Sequence, residues 1–199
     1  MESNSALIKR PKPMSMHDAL KIGYTRNEKK QKQMLKRFGY RLDEDLTNRN
    51  HLTAYDPVTK KLLFVSNGTN PMSVKDIWTD VNLALGNLKG TDRYKSDKKA
   101  FRTAVAKYDE KEAVLAGHSL GSPIVSGIAR PEDKVYTFNP ARTVGSKTRQ
   151  NEKAFRIEGD IVSALGSGIK TIPNPTLGRE IPILDAHRLD RAKNLNIAL

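Results

Sequence analysis

The sequence contains no cysteine. That excludes disulfides, thiolate-bound metals and cysteine nucleophiles, and it favours a reducing compartment. Aromatic residues make up only 6% of the chain and hydrophobic residues 37%. This is a lean composition, yet a chain of 199 residues can still build one α/β core from it. No apolar run approaches the roughly 18 residues that span a bilayer. The N-terminal stretch Ala6-Leu7-Ile8 stops at Lys9 and Arg10, too soon for the apolar core of a signal peptide. The expectation is a soluble protein not exported by this route. Acidic residues are scarce as well: 22 Asp and Glu face 35 Lys and Arg, for a net charge of +13. Such a surface favours anionic partners: nucleic acid, acidic lipid surfaces or polyanionic substrates.

There is no repeat at periods of 20–50 residues. Residues 1–16, with Pro11 and Pro13, read as a flexible or strap-like arm, and 17–199 as a single domain. His17 to Phe38 reads mainly as helix, with Lys29, Lys30, Lys32, Lys36 and Arg37 on a basic face beside Met34, Leu35 and Phe38. Leu52–Asp56 and Lys61–Val65 read as strands joined by the turn residues Asp56 to Lys60. A helix is expected from Ser73 to about Leu85, a loop from Gly86 to Tyr94, and a helix from Asp97 to Tyr108. Ala113–Ala116 reads as a buried strand, Ser122–Arg130 as a helix, and Lys134–Phe138 and Ala154–Ile157 as strands. Residues 163–180 are rich in Ser, Gly and Pro and read as a long loop, and His187–Asn194 as a closing helix. Strands alternating with helices predict an α/β fold with a mostly parallel central sheet covered on both faces.

The sharpest local pattern is Gly117-His118-Ser119-Leu120-Gly121. A serine flanked at two before and two after by glycine, with a buried strand ahead and a helix behind, is the layout of a nucleophile elbow. The glycines leave room for strand and helix to approach across a strained turn. Serine needs a base. His118 lies inside the elbow, His17 in the basic N-terminal region and His51 at a strand start. His187 follows the nucleophile, which suits the chain order Ser, Asp, His. Acid candidates between them are Glu132, Asp133, Glu152, Glu158, Asp160, Glu180 and Asp185. Asp160 is preferred because it follows a strand end, where catalytic groups of open α/β sheets gather. Leu120 would supply one backbone donor to an oxyanion, and the turn Asn67-Gly68-Thr69 a second through Thr69.

Taken together these segments resemble the class 3, or fungal-lipase-like, lipases of the α/β-hydrolase fold. Phe64-Val-Ser-Asn-Gly-Thr69 is similar to that family's oxyanion strand, and Asp76-Ile-Trp-Thr-Asp80 to the segment after it. Gly117–Gly121 matches its elbow, Tyr136 to Pro140 with Ala141 to Gly145 its Thr-Phe-Gly-x-Pro-Arg-x-Gly stretch, and Gly159-Asp-Ile-Val162 its triad aspartate segment. His187 falls where the triad histidine is expected. The resemblance spans about Ala19 to His187. It implies a triacylglycerol lipase, phospholipase or esterase using Ser119, Asp160 and His187, with Thr69 and Leu120 as oxyanion donors. It implies no metal or organic cofactor, and a lipid or small ester as substrate, with peripheral contact to an anionic membrane. Asn67 stands where an arginine is common and Ser122 where a second glycine is usual. The lid is reduced or absent, with residues 85–95 its only candidate. Such folds also serve as binding or virion-structural proteins, so a non-catalytic role, including nucleic-acid binding, is the rival expectation, and a cytoplasmic or virion-associated place follows.

Overall fold

The computed structural model describes residues 12–68, 86–143, 145–160, 162–174, 188–194 and 197–199. Its elements in order are α1 (Met16–Tyr24), α2 (Glu28–Lys36), β1 (Arg41–Leu42), β2 (His51–Asp56), β3 (Lys61–Ser66), α3 (Asp92–Tyr108), β4 (Ala113–His118), α4 (Gly121–Ile128), β5 (Lys134–Phe138), β6 (Glu152–Ile157) and β7 (Ile169–Ile172). Short 3-10 segments cover Leu88–Gly90 and Leu189–Asn194.

Local chemistry explains most boundaries. Ser15 and Asp18 form a capping box that starts α1: the Asp18 amide donates to Ser15 Oγ and the Ser15 amide returns to the Asp18 carboxylate. The single helix expected from His17 to Phe38 is in fact two. Asn27 breaks it, because its side chain accepts from the Lys30 amide at 2.9 Å and caps a new helix. The hairpin between β2 and β3 turns on Asp56, whose Oδ1 accepts from the amides of Val58 and Thr59, and Lys60 takes φ +57°. Gly86 to Tyr94 is not a plain loop. Thr91 accepts from the Tyr94 amide and starts α3 at Asp92, inside the expected loop and the candidate lid.

Among the described residues the sheet has seven strands in the order of the chain, β1 to β7. β1, β2 and β3 pair antiparallel, and β3 through β7 pair parallel. The long loop expected over 163–180 contains β7, which pairs with β6 from Ala154↔Ile169 to Ile157↔Ile172. The helix expected over Ser73–Leu85 lies outside the described residues.

Parallel strands laid down in chain order with right-handed crossovers place their helices on one face. α3 and α4 accordingly pack together against β2 to β5, around Phe64, Phe101, Leu115 and Ile124. The opposite face is covered by α1, α2 and the chain end, around Met16, Leu20, Leu35, Val65 and Phe138. Alternation along β3 feeds both cores: Leu62 and Phe64 face one, Leu63 and Val65 the other. Within the N-terminal segment, Met14 is buried and residues 14–16 pair with the chain end, Met16 N–H donating to Ile197 O and Leu199 N–H to Met14 O. Residues 1–11 lie outside the described residues. Among those described, no helix is long and apolar enough to cross a membrane.

Candidate active site

The site begins where β4 ends. Ser119 follows that strand directly, takes φ +53° and is 3% exposed. A non-glycine residue in the left-handed region is strained, and such strain persists only where the surroundings hold it. Here they do. The Ser119 amide donates to Phe138 O at the end of β5, and its carbonyl accepts from the amides of Ser122 and Ala141.

The flanking glycines have contacts that explain them. A Cβ on Gly117 would stand 2.7 Å from Gly121 O and 2.7 Å from Val125 Cγ2, inside α4. A Cβ on Gly121 would stand 2.0 Å from Ser66 O at the end of β3. The turn is therefore pressed against its own helix and against the neighbouring strand. Leu120 caps α4 with no side-chain bond. Its amide belongs to the helix N-terminus, where N–H groups lack intrahelical acceptors and the dipole favours negative charge. Ser122, in place of a glycine, is fully buried, and its Oγ has no hydrogen-bond partner among the described residues.

Gly68 closes the site from the side of β3. A Cβ there would lie 2.8 Å from Ser119 Cβ, 2.6 Å from the Tyr24 hydroxyl and 3.1 Å from His118 O. Asn67, just before it, is braced on several sides. Its amide donates to Asn50 O, its Nδ2 donates to Gly23 O at 2.9 Å and to Arg49 O at 3.3 Å, and its carbonyl accepts from the Arg93 guanidinium. The cation beside this turn thus arrives from the first turn of α3 and not from position 67. Burial holds the Arg93 guanidinium below its ordinary pKa. Thr69 lies outside the described residues.

Asp160 lies at the carboxyl end of β6, after Gly159 at φ +86°, and is 4% exposed. Its carboxylate accepts from Ser163 Oγ at 2.5 Å and from the Val162 amide at 3.2 Å. The ends of the strands step together toward it: the Asn139 amide donates to Phe155 O, and Asn139 Oδ1 accepts from the Ile157 amide. Ser119 and Asp160 therefore share the carboxyl end of the parallel strands, with β5 between their two strands. His187 lies outside the described residues, as do Glu180 and Asp185.

The other histidines are built into the fold. His51 Nδ1 bonds Asp97 Oδ1 at 2.7 Å, and Ser66 Oγ donates to Asp97 Oδ2 at 2.7 Å, with all three side chains buried. His118 Nδ1 meets the Tyr24 hydroxyl at 2.8 Å, and its ring stacks on Phe138. His17 is buried in α1, and burial lowers its pKa. Of the other acid candidates, Asp133 is held by Arg130 and Glu152 by Arg142 and Thr137, so both serve buried ion pairs. Glu132 bonds Arg130 at 3.2 Å, and Glu158 carries an exposed side chain in the turn after β6. Among the described residues no three His, Asp or Glu side chains gather as a metal site would require.

Tyr24, Arg93, Asp97 and His51 were not legible as parts of this region. They come from three elements far apart in sequence, α1, β2 and α3, and no short motif joins them. The chemistry the arrangement supports is that of a strained, buried serine hydroxyl at the positive end of a helix.

No protein-family model matches the chain, and no curated protein sequence does. Solved structures similar to it include two fungal proteins. One is a mutant form of MDLA from Penicillium cyclopium, at 16% identity and a TM-score of 0.38, over 76% of this chain and 70% of that one. The other is Rhizomucor miehei lipase in its propeptide complex, at 10% identity and a TM-score of 0.42, over 75% of this chain and 61% of that one.

Proposed function

We propose that the chain is a serine carboxylic-ester hydrolase acting on lipid esters, by acyl transfer through a covalent intermediate. Ser119 is the nucleophile, His187 the general base that later returns the proton to the leaving group, and Asp160 the carboxylate that orients His187. Leu120 and Thr69 donate to the oxyanion. The observation that carries this reading is the turn itself: Ser119 at φ +53° between β4 and α4, tight against Gly68. Backbone strain of this kind gathers at functional sites, and here it sits at a strand-to-helix turn with a serine at its apex.

The substrate class draws support from charge. Lys95, Lys98, Lys99 and Arg102 recur at helical spacing along the exposed side of α3, and none of them forms a salt bridge among the described residues. Such a row suits an anionic lipid surface. On α2 the basic run is partly neutralised, since Lys32 is shared by Glu28 and Glu44 at 2.7 Å each.

The test is hydrolysis of soluble short-chain esters and of phospholipid vesicles with and without anionic lipid. Wild type should turn over both, faster on anionic vesicles at low salt. Ser119→Ala should lose at least about a thousandfold in kcat, and Asp160→Asn roughly as much. Ester turnover unchanged in Ser119→Ala would end the proposal.

A further inference from the structure

One tyrosine links four segments around the nucleophile. Tyr24, the last residue of α1, receives the Gly68 N–H on its hydroxyl oxygen. A backbone amide only donates, so the hydroxyl proton is left for its second partner, His118 Nδ1, at 2.8 Å. Nδ1 is then the acceptor, and in the neutral ring Nε2 carries the hydrogen. The His118 ring meets Tyr24 edge-on at 5.7 Å and stacks on Phe138 at 5.8 Å. From β5 through β4 and α1 to the turn after β3, the chain of contacts ends on the glycine that faces Ser119.

We propose that Tyr24 is a positioning residue for ester hydrolysis: its hydroxyl fixes the Gly68 amide and so sets the turn opposite Ser119. This rests on the serine-hydrolase reading above. An amide committed to Tyr24 is not a donor to an oxyanion, so the donors are Leu120 and a group beyond Gly68. The hydroxyl is suited to the task because burial pushes its pKa up to about 12, which keeps its proton in place across the working range. The packing around it is close as well. A Cβ on Gly23 would stand 2.6 Å from Asn67 Oδ1 and 2.8 Å from Val65 Cγ1, so α1 sits hard against the same turn.

Tyr24→Phe tests the proposal because it keeps the ring and removes only the hydroxyl. On a soluble short-chain ester kcat should fall about 10–100-fold with KM unchanged, since a displaced turn weakens the transition state and leaves the bound ester alone. In wild type the Gly68 amide should exchange with solvent slowly. In Tyr24→Phe it should exchange at least about tenfold faster, and its proton resonance should move upfield. The outcomes separate cleanly. A wild type that a fluorophosphonate does not phosphonylate removes the hydrolase reading, and the role of Tyr24 with it. A wild type that the probe phosphonylates, with a folded Tyr24→Phe variant that keeps the wild-type kcat, removes the role of Tyr24 alone. Should the variant not fold, the wild-type amide decides: unprotected exchange at Gly68 overturns the proposal.

Discussion

The Cβ that Gly68 lacks would stand 2.8 Å from the Cβ of Ser119, which places the turn after β3 directly against the proposed nucleophile. Gly68→Ala forces that contact apart, and the Tyr24 hydroxyl at 2.6 Å blocks the other direction. Kinetics on a soluble ester should show a loss of roughly a hundredfold in kcat/KM, the scale of a displacement near 1 Å. Denaturant unfolding should show a smaller cost, about 1–3 kcal/mol.

Gly121 makes the opposite kind of prediction, one of stability first. Its missing Cβ would lie 2.0 Å from the backbone carbonyl oxygen of Ser66, which has no rotamer by which to escape. Gly121→Ala should cost about 3 kcal/mol or more and lower Tm by several degrees. An unchanged Tm would mean that β3 and α4 are not pressed together as described.

Asp97 is fully buried and serves two donors, His51 and Ser66. Asp97→Ala leaves both without their acceptor, at a cost of about 3 kcal/mol measured by chemical denaturation. Because His51 belongs to this pair, His51→Gln should weaken folding and leave the pH profile of ester hydrolysis where it was.

Alkaline titration offers a check that needs no substrate. Of six tyrosines, Tyr24, Tyr40 and Tyr108 are each pushed up to about 12. Burial is the chief cause in all three. Asp56 adds to it at Tyr40, and the hydrogen bond to Asp43 adds to it at Tyr108. A group whose folded pKa is raised contributes stability that is fully present below its unfolded value near 10 and is lost as pH climbs toward 12. Tyrosinate absorbance should therefore rise in two stages, with the late stage coinciding with unfolding. A single stage near pH 10 in the folded protein would contradict the burial described.

Much of the frame was legible in the sequence because it rests on strong local signals. The β2–β3 hairpin followed from Asp56 to Lys60, and the β4–turn–α4 unit from a buried apolar run and two glycines. Less was legible where tertiary contacts decide. β7 reads as loop because it is a four-residue strand at the sheet edge, with Lys170 and Thr171 exposed. The α1–α2 break was hidden because Asn27 looks like any polar helix residue until its side chain turns to cap. At the site, the serine and its glycines announced themselves by spacing. The Tyr24, Arg93 and Asp97 contacts could not, since each joins residues far apart in sequence through burial. Thr69 and His187 lie outside the described residues, so their roles rest on motif and order.

Covalent labelling decides whether Ser119 is an activated nucleophile. Native protein should react stoichiometrically with a fluorophosphonate probe, with the adduct mapped by mass spectrometry to Ser119 and lost in Ser119→Ala. Asp160→Asn should label far more slowly. A folded wild type that takes up no probe, or takes it up equally after Ser119→Ala, would contradict the account.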